Sequence, residues 1–146
     1  EAAVKDGRNI RARDGCSIGS LVTGIAFATA RLGVVHGIAH PLGLRCRIPH
    51  GLVCGALLPH ALELNRPAIG RKYEELCGAV GGDAIEFIRG LASRIGLPSS
   101  LASFGLKEAD FPAIIRDSMP SGSLKSNPKR ITQEDVRWLL DRLIAS

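Results

Sequence analysis

Apolar positions along this 146-residue chain recur at spacings of three and four, and no stretch of four to eight residues alternates cleanly. That pattern predicts helices and no strand. Between Asn9 and Ala30 the recurring positions are Ile10, Ile18, Leu21, Val22, Ile25 and Ala28. Gly15, Gly19 and Gly24 interrupt the same stretch, and each costs helix stability. Close packing against a neighbouring element is the expected compensation. A second helix is expected over residues 33–44, followed by a loop carrying Arg45 and Arg47. Pro49 is suited to open a third helix, because its missing N–H costs nothing at a first turn. That helix is expected to reach Asn65 with a kink at Pro59.

Residues 71–80 and 83–95 read as two further helices separated by Gly81-Gly82, the second stopped by Gly96 and Pro98. A helix over residues 108–119 precedes a polar stretch, residues 120–130, expected to be loop. Thr132 then opens a final helix, with Asp135 three residues on where a capping box would carry Glu or Gln. No repeat, low-complexity segment or linker breaks the pattern. The expected fold class is all-α, a bundle-like helical unit over residues 1–146.

Composition narrows the class. Hydrophobic residues make up 45% and charged residues 23%, which fits a globular protein and excludes a disordered tail. The length fits one domain or one piece of a larger protein. A formal charge of +5 arises from 19 Lys and Arg against 14 Asp and Glu. The basic residues are scattered and not interleaved with aromatic side chains for base stacking, so a nucleic-acid partner is not expected. A basic face does suit an anionic cofactor or substrate. Cys16, Cys46, Cys54 and Cys77 form no CxxC pair and are expected to be reduced, mostly buried thiols of a cytoplasmic protein. No apolar run approaches the roughly 20 residues of a membrane span, and no membrane association is expected.

The chemistry concentrates in residues 33–60, which hold all four histidines. His36 and His40 stand four apart and project from one helix face. Imidazole pairs at that spacing commonly grip a divalent metal. His50 follows across a short turn containing Gly43 and Pro49, and a helical hairpin would return it toward His36 and His40. The alternative for each is a hydrogen-bonded core histidine. His60, after Pro59 and outside the cluster, is expected to be structural. Pro41 removes the N–H that would bond the Gly37 carbonyl. The segment superficially echoes a zinc-protease motif, but Gly37 stands where the general-base Glu is required and Cys46 where a third His is required. No nucleophile elbow, GxGxxG or P-loop is present either.

The segment Gly33-x-x-His36-x-x-x-His40-x-x-Gly43, followed by Pro49-His50-Gly51, resembles the signature of iron-containing (group III) alcohol dehydrogenases. The similarity runs upstream through SLVTGIAFATARLG and downstream through LLPHALELN, Asn127-Pro128 and the terminal Thr-x-x-Asp helix. It covers essentially the whole chain.

The resemblance implies a two-domain dehydrogenase that interconverts an alcohol with an aldehyde or ketone, using NAD or NADP and a divalent metal, Fe2+ first and Zn2+ second. Such proteins pair an α/β nucleotide-binding domain with a helical domain that ligates the metal through one Asp and three His. Transferred to the matching positions, His36 and His50 are metal ligands. His40 lies beside the nicotinamide as a proton relay or positioning group. Gly37, Ala39 and Gly43 are implied to let the helix approach metal and cofactor closely. No Asp-x-x-x-His precedes His36, and the chain opens on Glu1 rather than Met. Residues 1–146 are therefore expected to be a helical metal-binding domain incomplete at its N-terminal side, with the nucleotide-binding domain absent and the piece inactive alone. The intact protein is expected to be a homo-oligomer. Two other classes stay open: a non-catalytic helical interaction module or inactive paralogue, and a non-redox metalloenzyme of the dehydroquinate-synthase kind.

Overall fold

A computed structural model describes residues 1–145. Among them the secondary structure is helical throughout, without strands, as the spacing predicts. The chain divides into two compact units, Glu1–Arg31 and the remainder from Leu32.

The first unit holds α1 (Ala2–Lys5) and α2 (Ile10–Ala30). The Asn9 side chain caps α2 by accepting from the Ala12 N–H at 3.0 Å, which satisfies one of the orphan donors of a first turn. Within this unit the expected close packing is not found at Gly15 or Gly19. A Cβ at Gly15 or Gly19 would meet nothing within 4 Å. Ile10, Ile18, Leu21, Val22 and Ile25 are exposed, and no residue of the helix is buried. Apolar residues appear on every side of α2, so the periodicity that predicts the helix does not itself supply a covering neighbour.

The second unit carries the core. Its helices are α3 (Val34–Cys46), α4 (His50–Val80), α5 (Ala84–Arg94), α6 (Phe111–Ser118), α7 (Gly122–Lys125) and α8 (Gln133–Ile144), with short 3-10 turns at Ala102–Phe104 and Glu108–Asp110. Ile38 and Leu42 of α3, Leu57 of α4, Phe111 of α6 and Leu139 and Leu143 of α8 are fully buried together. A smaller cluster joins Tyr73 of α4 to Ala84 and Ile85 of α5. There the Tyr73 hydroxyl donates to Asp83 Oδ2 at 2.8 Å, while Asp83 Oδ1 caps α5.

Several expectations shift. The break in α4 falls at Gly70 (φ 27°, ψ −102°), not at Asn65, and α4 passes through Pro59 and Pro67 without leaving helical geometry. Each proline removes one N–H donor, which a long helix tolerates, whereas positive φ is open chiefly to glycine. The polar stretch at 120–130 contains α7, capped by the Ser121 side chain on the Ser123 N–H. Its single large apolar residue, Leu124, is buried. The thiols are free as expected, but Cys16 is exposed and Cys46, Cys54 and Cys77 are only partly buried. Thr132 and Asp135 close a full reciprocal capping box on α8, the shorter Asp reaching the Thr132 N–H at 3.0 Å. No single helix among the described residues is long and apolar enough to cross a membrane.

Candidate metal centre

α3 is placed from both ends. At its N-terminus Asn127 Oδ1 accepts from the Val34 N–H at 3.1 Å, and a Cβ at Gly33 would come within 2.9 Å of that oxygen. Glycine is needed there for the amide to approach. One turn on, a Cβ at Gly37 would sit 1.9 Å from Leu124 Cδ1. Ala39 is buried in the core, and a Cβ at Gly43 would come 3.0 Å from the Ile48 carbonyl oxygen. The resemblance assigns Gly37, Ala39 and Gly43 to metal and cofactor; in the structure Gly37 faces Leu124 of α7, Gly43 faces the turn at Ile48, and Ala39 lies in the core.

At the other end Arg47 adopts left-handed geometry (φ 55°), and the Arg47 and Ile48 N–H groups both bond the Gly43 carbonyl. Pro49 then caps α4, its carbonyl accepting from Leu52 and Val53. The Arg45 guanidinium holds Asp110 at 2.9 Å. The hairpin makes His50 the first residue of α4 and returns it to α3.

His36 Nδ1 and His50 Nε2 lie 3.1 Å apart, with ring centroids at 5.2 Å. Two ring nitrogens so close present one proton and one lone pair between them, or two lone pairs to a shared cation. Cys54, one turn along α4 from His50, brings Sγ to 3.3 Å from His50 Nε2 and 3.8 Å from His36 Nδ1. The three donors lie within 4.8 Å of one another. Burial, then the charge of His50, pulls the His36 pKa below the ordinary imidazole value. Burial pushes the Cys54 thiol up.

His40 does not join them. It is exposed on α3 and lines a separate shallow hollow with Pro41, Leu44, Arg45 and Asp117. His60 also stands apart. It faces a cleft shared with Arg89 and Leu97, and its Nδ1 is buried without a hydrogen-bond partner. Burial first, then Arg89 and Arg142, lower its pKa against the opposing Glu63. The expected pairing of His36 with His50 is the one the hairpin brings together, the return toward His40 does not occur, and Cys54 was passed over. The available signal was His50-x-x-x-Cys54, a same-face pair on a helix beginning at Pro49.

A cleft of about 480 Å3 opens beside His36 and Cys54 and runs past Leu58 and Leu62 to the Asn65–Asn127 pair. It is mostly apolar, with its polar groups confined to the two ends.

Residues 1–144 match the model of the Fe-containing alcohol dehydrogenase family, C-terminal. The chain belongs to that family. It is 34% identical to the 1,3-propanediol dehydrogenase of Citrobacter freundii over an alignment of 146 positions, taking in 92% of this chain and 38% of that protein. It is 31% identical to the lactaldehyde reductase of Escherichia coli (strain K12), taking in 82% of this chain and 35% of that one. Among solved structures, a crystal structure of 1,3-propanediol oxidoreductase superposes with a TM-score of 0.94 at 32% identity, over 98% of this chain and 41% of that one. The chain thus spans well under half the length of these relatives. Their helical C-terminal architecture is the one found here, and the expected family and all-α fold class both hold.

Proposed function

We propose that this chain forms the helical, metal-binding part of an oxidoreductase that interconverts an alcohol with an aldehyde or ketone. The observation that carries the reading is the 3.1 Å approach of His36 Nδ1 to His50 Nε2 from opposite sides of a helical hairpin. Two partly accessible imidazoles with a thiol beside them form a suitable donor set for a divalent metal such as Fe2+ or Zn2+. When bound, the metal supplies Lewis-acid polarisation of the substrate oxygen, and NAD(P) supplies hydride exchange.

The chain's own residues then divide the work. His36 and His50 hold the metal at the rim of the apolar cleft, whose volume suits a small alcohol or a flat ring. Leu58 and Leu62 give the cleft an apolar wall on that side. His40, exposed on α3 and clear of the donor cluster, is available to position substrate and nicotinamide or to relay a proton. The sequence carries no glycine-rich phosphate-binding loop, so the dinucleotide phosphates are assigned to a nucleotide-binding domain outside these residues. The share of the relatives' length that the chain leaves uncovered supports that division.

Titration of the purified chain with Co2+ or Zn2+ tests the reading. Saturable one-to-one binding is expected, lost in His36→Ala and in His50→Ala. Binding unaffected by both substitutions would sink it. The chain by itself is expected to show no alcohol-dependent reduction of NAD or NADP.

A further inference from the structure

We propose that the cleft between α4 and α5 at His60 is a second binding site, and that it takes a small carboxylate with a compact apolar body. The site goes beyond the metal-centre reading and does not depend on it. Ala56, Pro59 and His60 of α4, Arg89 and Ala92 of α5, and Leu97 just after α5 enclose about 510 Å3. Cys54, Leu58 and Leu62, which line the cleft beside His36, take no part. A Cβ at Gly55 would come within 2.6 Å of Leu97 Cδ2. Glycine there lets Leu97 lie against α4 and form part of the cleft.

His60 supplies the donor. Its ring lines the cleft, yet its Nδ1 is buried and has no hydrogen-bond partner among the described residues. A proton on Nδ1 would be an unpaired buried donor, which native structures rarely keep. Burial, then Arg89 and Arg142, holds the pKa below the ordinary imidazole value, so the ring carries a single proton near pH 7. That proton is assigned to Nε2, which makes His60 an N–H donor toward an occupant of the cleft. A leucine or phenylalanine would fill the same space without burying an unpaired nitrogen. An imidazole serves this position better than they do only where its second nitrogen has a partner to bind.

The surrounding charges select the sign of the ligand. Arg89 and Arg142 each act on His60 more strongly than the opposing Glu63, a field that favours an anion. Arg89 is also held in place: its Nη1 donates to Glu86 Oε1 at 2.8 Å and its Nη2 to Glu63 Oε2 at 3.2 Å. Those bonds use two of the five guanidinium N–H groups and leave the rest for an acceptor. Ser93 and Ser99 add hydroxyls. The remaining walls, at Ala56, Pro59, Ala92 and Leu97, are aliphatic. A carboxylate therefore accepts from His60 Nε2–H and from Arg89, while a small ring or branched chain covers Pro59 and Leu97. The volume lies in the range of small-molecule sites.

Benzoate is the probe, and benzamide, a neutral molecule of nearly the same shape, is the control. Calorimetric titration of the whole chain is run in EDTA, which removes any metal held at His36 and His50. One benzoate site is expected, with a dissociation constant on the order of 1 mM. Benzamide is expected to bind about tenfold or more weakly, and His60→Phe and Arg89→Gln each to weaken benzoate by a similar factor. Circular dichroism checks that both variants keep the helical fold. Arg89 is exposed, so its substitution reports on the site even where His60→Phe disturbs the packing. Proton NMR adds a local readout: the His60 ring signals are expected to shift with benzoate and those of His40 to stay in place. Equal affinity for benzamide overturns the carboxylate assignment. Binding unchanged in both variants, or no saturation below about 20 mM, overturns the site, and neither result bears on the metal-centre reading.

Discussion

Asn127 donates from Nδ2 to Asn65 Oδ1 at 2.6 Å and accepts from Asn65 Nδ2 at 3.1 Å, so the two buried amides close on each other as a reciprocal pair. The same Asn127 oxygen receives the Val34 N–H that begins α3, and the same Asn65 Nδ2 donates to the Ala61 carbonyl on α4. One amide pair therefore ties the helix that carries His36 to the helix that carries His50 and Cys54.

Asn127→Ala removes the partner of the buried Val34 N–H and both Asn127 bonds of the Asn65 amide, which keeps its bond to the Ala61 carbonyl. A loss on the order of 3 kcal/mol is expected from the unpaired groups, read as a lower urea midpoint with an unchanged slope. The double substitution with Asn65→Ala should cost clearly less than the sum of the single changes. Strict additivity would show that the amides do not act as a pair.

Gly37→Ala sets helix propensity against packing. Alanine gains about 1 kcal/mol in a helix interior, yet its Cβ would sit 1.9 Å from Leu124 Cδ1. Overpacking costs roughly 1–3 kcal/mol, and a net destabilisation is expected in thermal melts. Leu124→Ala should remove much of that penalty when combined with Gly37→Ala. A more stable Gly37→Ala single variant would contradict the close approach of α3 and α7.

Asp135 links pH to the α8 N-terminus. Burial pushes its carboxyl up, but Lys129 and the Thr132 N–H outweigh it, and the folded pKa lies below the ordinary 3.8. Asp135 also pairs with Lys129 Nζ. A depressed folded pKa means that the contribution is fully present above the unfolded value and fades as pH falls through the folded one. Asp135→Asn is therefore expected to be less stable than the parent near neutrality, with the gap narrowing below about pH 4. Denaturation midpoints measured across that interval give the answer; a gap that widens on acidification reverses the sign.

His40→Ala separates ligand from neighbour. Because His40 faces the hollow beside Asp117 and not the donor cluster, metal affinity of the chain is expected to stay unchanged. Calorimetric titration with Zn2+ against the parent is sufficient, and a large loss would bring His40 into the coordination sphere.

Much of this protein is legible in short spans of sequence, since an α-helix bonds each residue to one four positions away. Asn9, Thr132 with Asp135, and Gly96 mark ends within a turn of where they fall, and the pairing of His36 with His50 follows from a short turn between two helices. Gly70, not Asn65, breaks α4 because a long helix absorbs two missing proline donors but not a positive φ. Local pattern has no purchase on which helix faces another, and that decided the rest. Leu124, one apolar residue in a polar stretch, acquires its role only opposite Gly37, 87 positions earlier in the chain. His50 and Cys54 meet His36, and His40 does not, because the Arg47–Pro49 turn and the Asn65–Asn127 pair set α3 and α4 at one particular approach. The sequence by itself determined the helices and the donor types; the packing of one helix against another decided which donors meet.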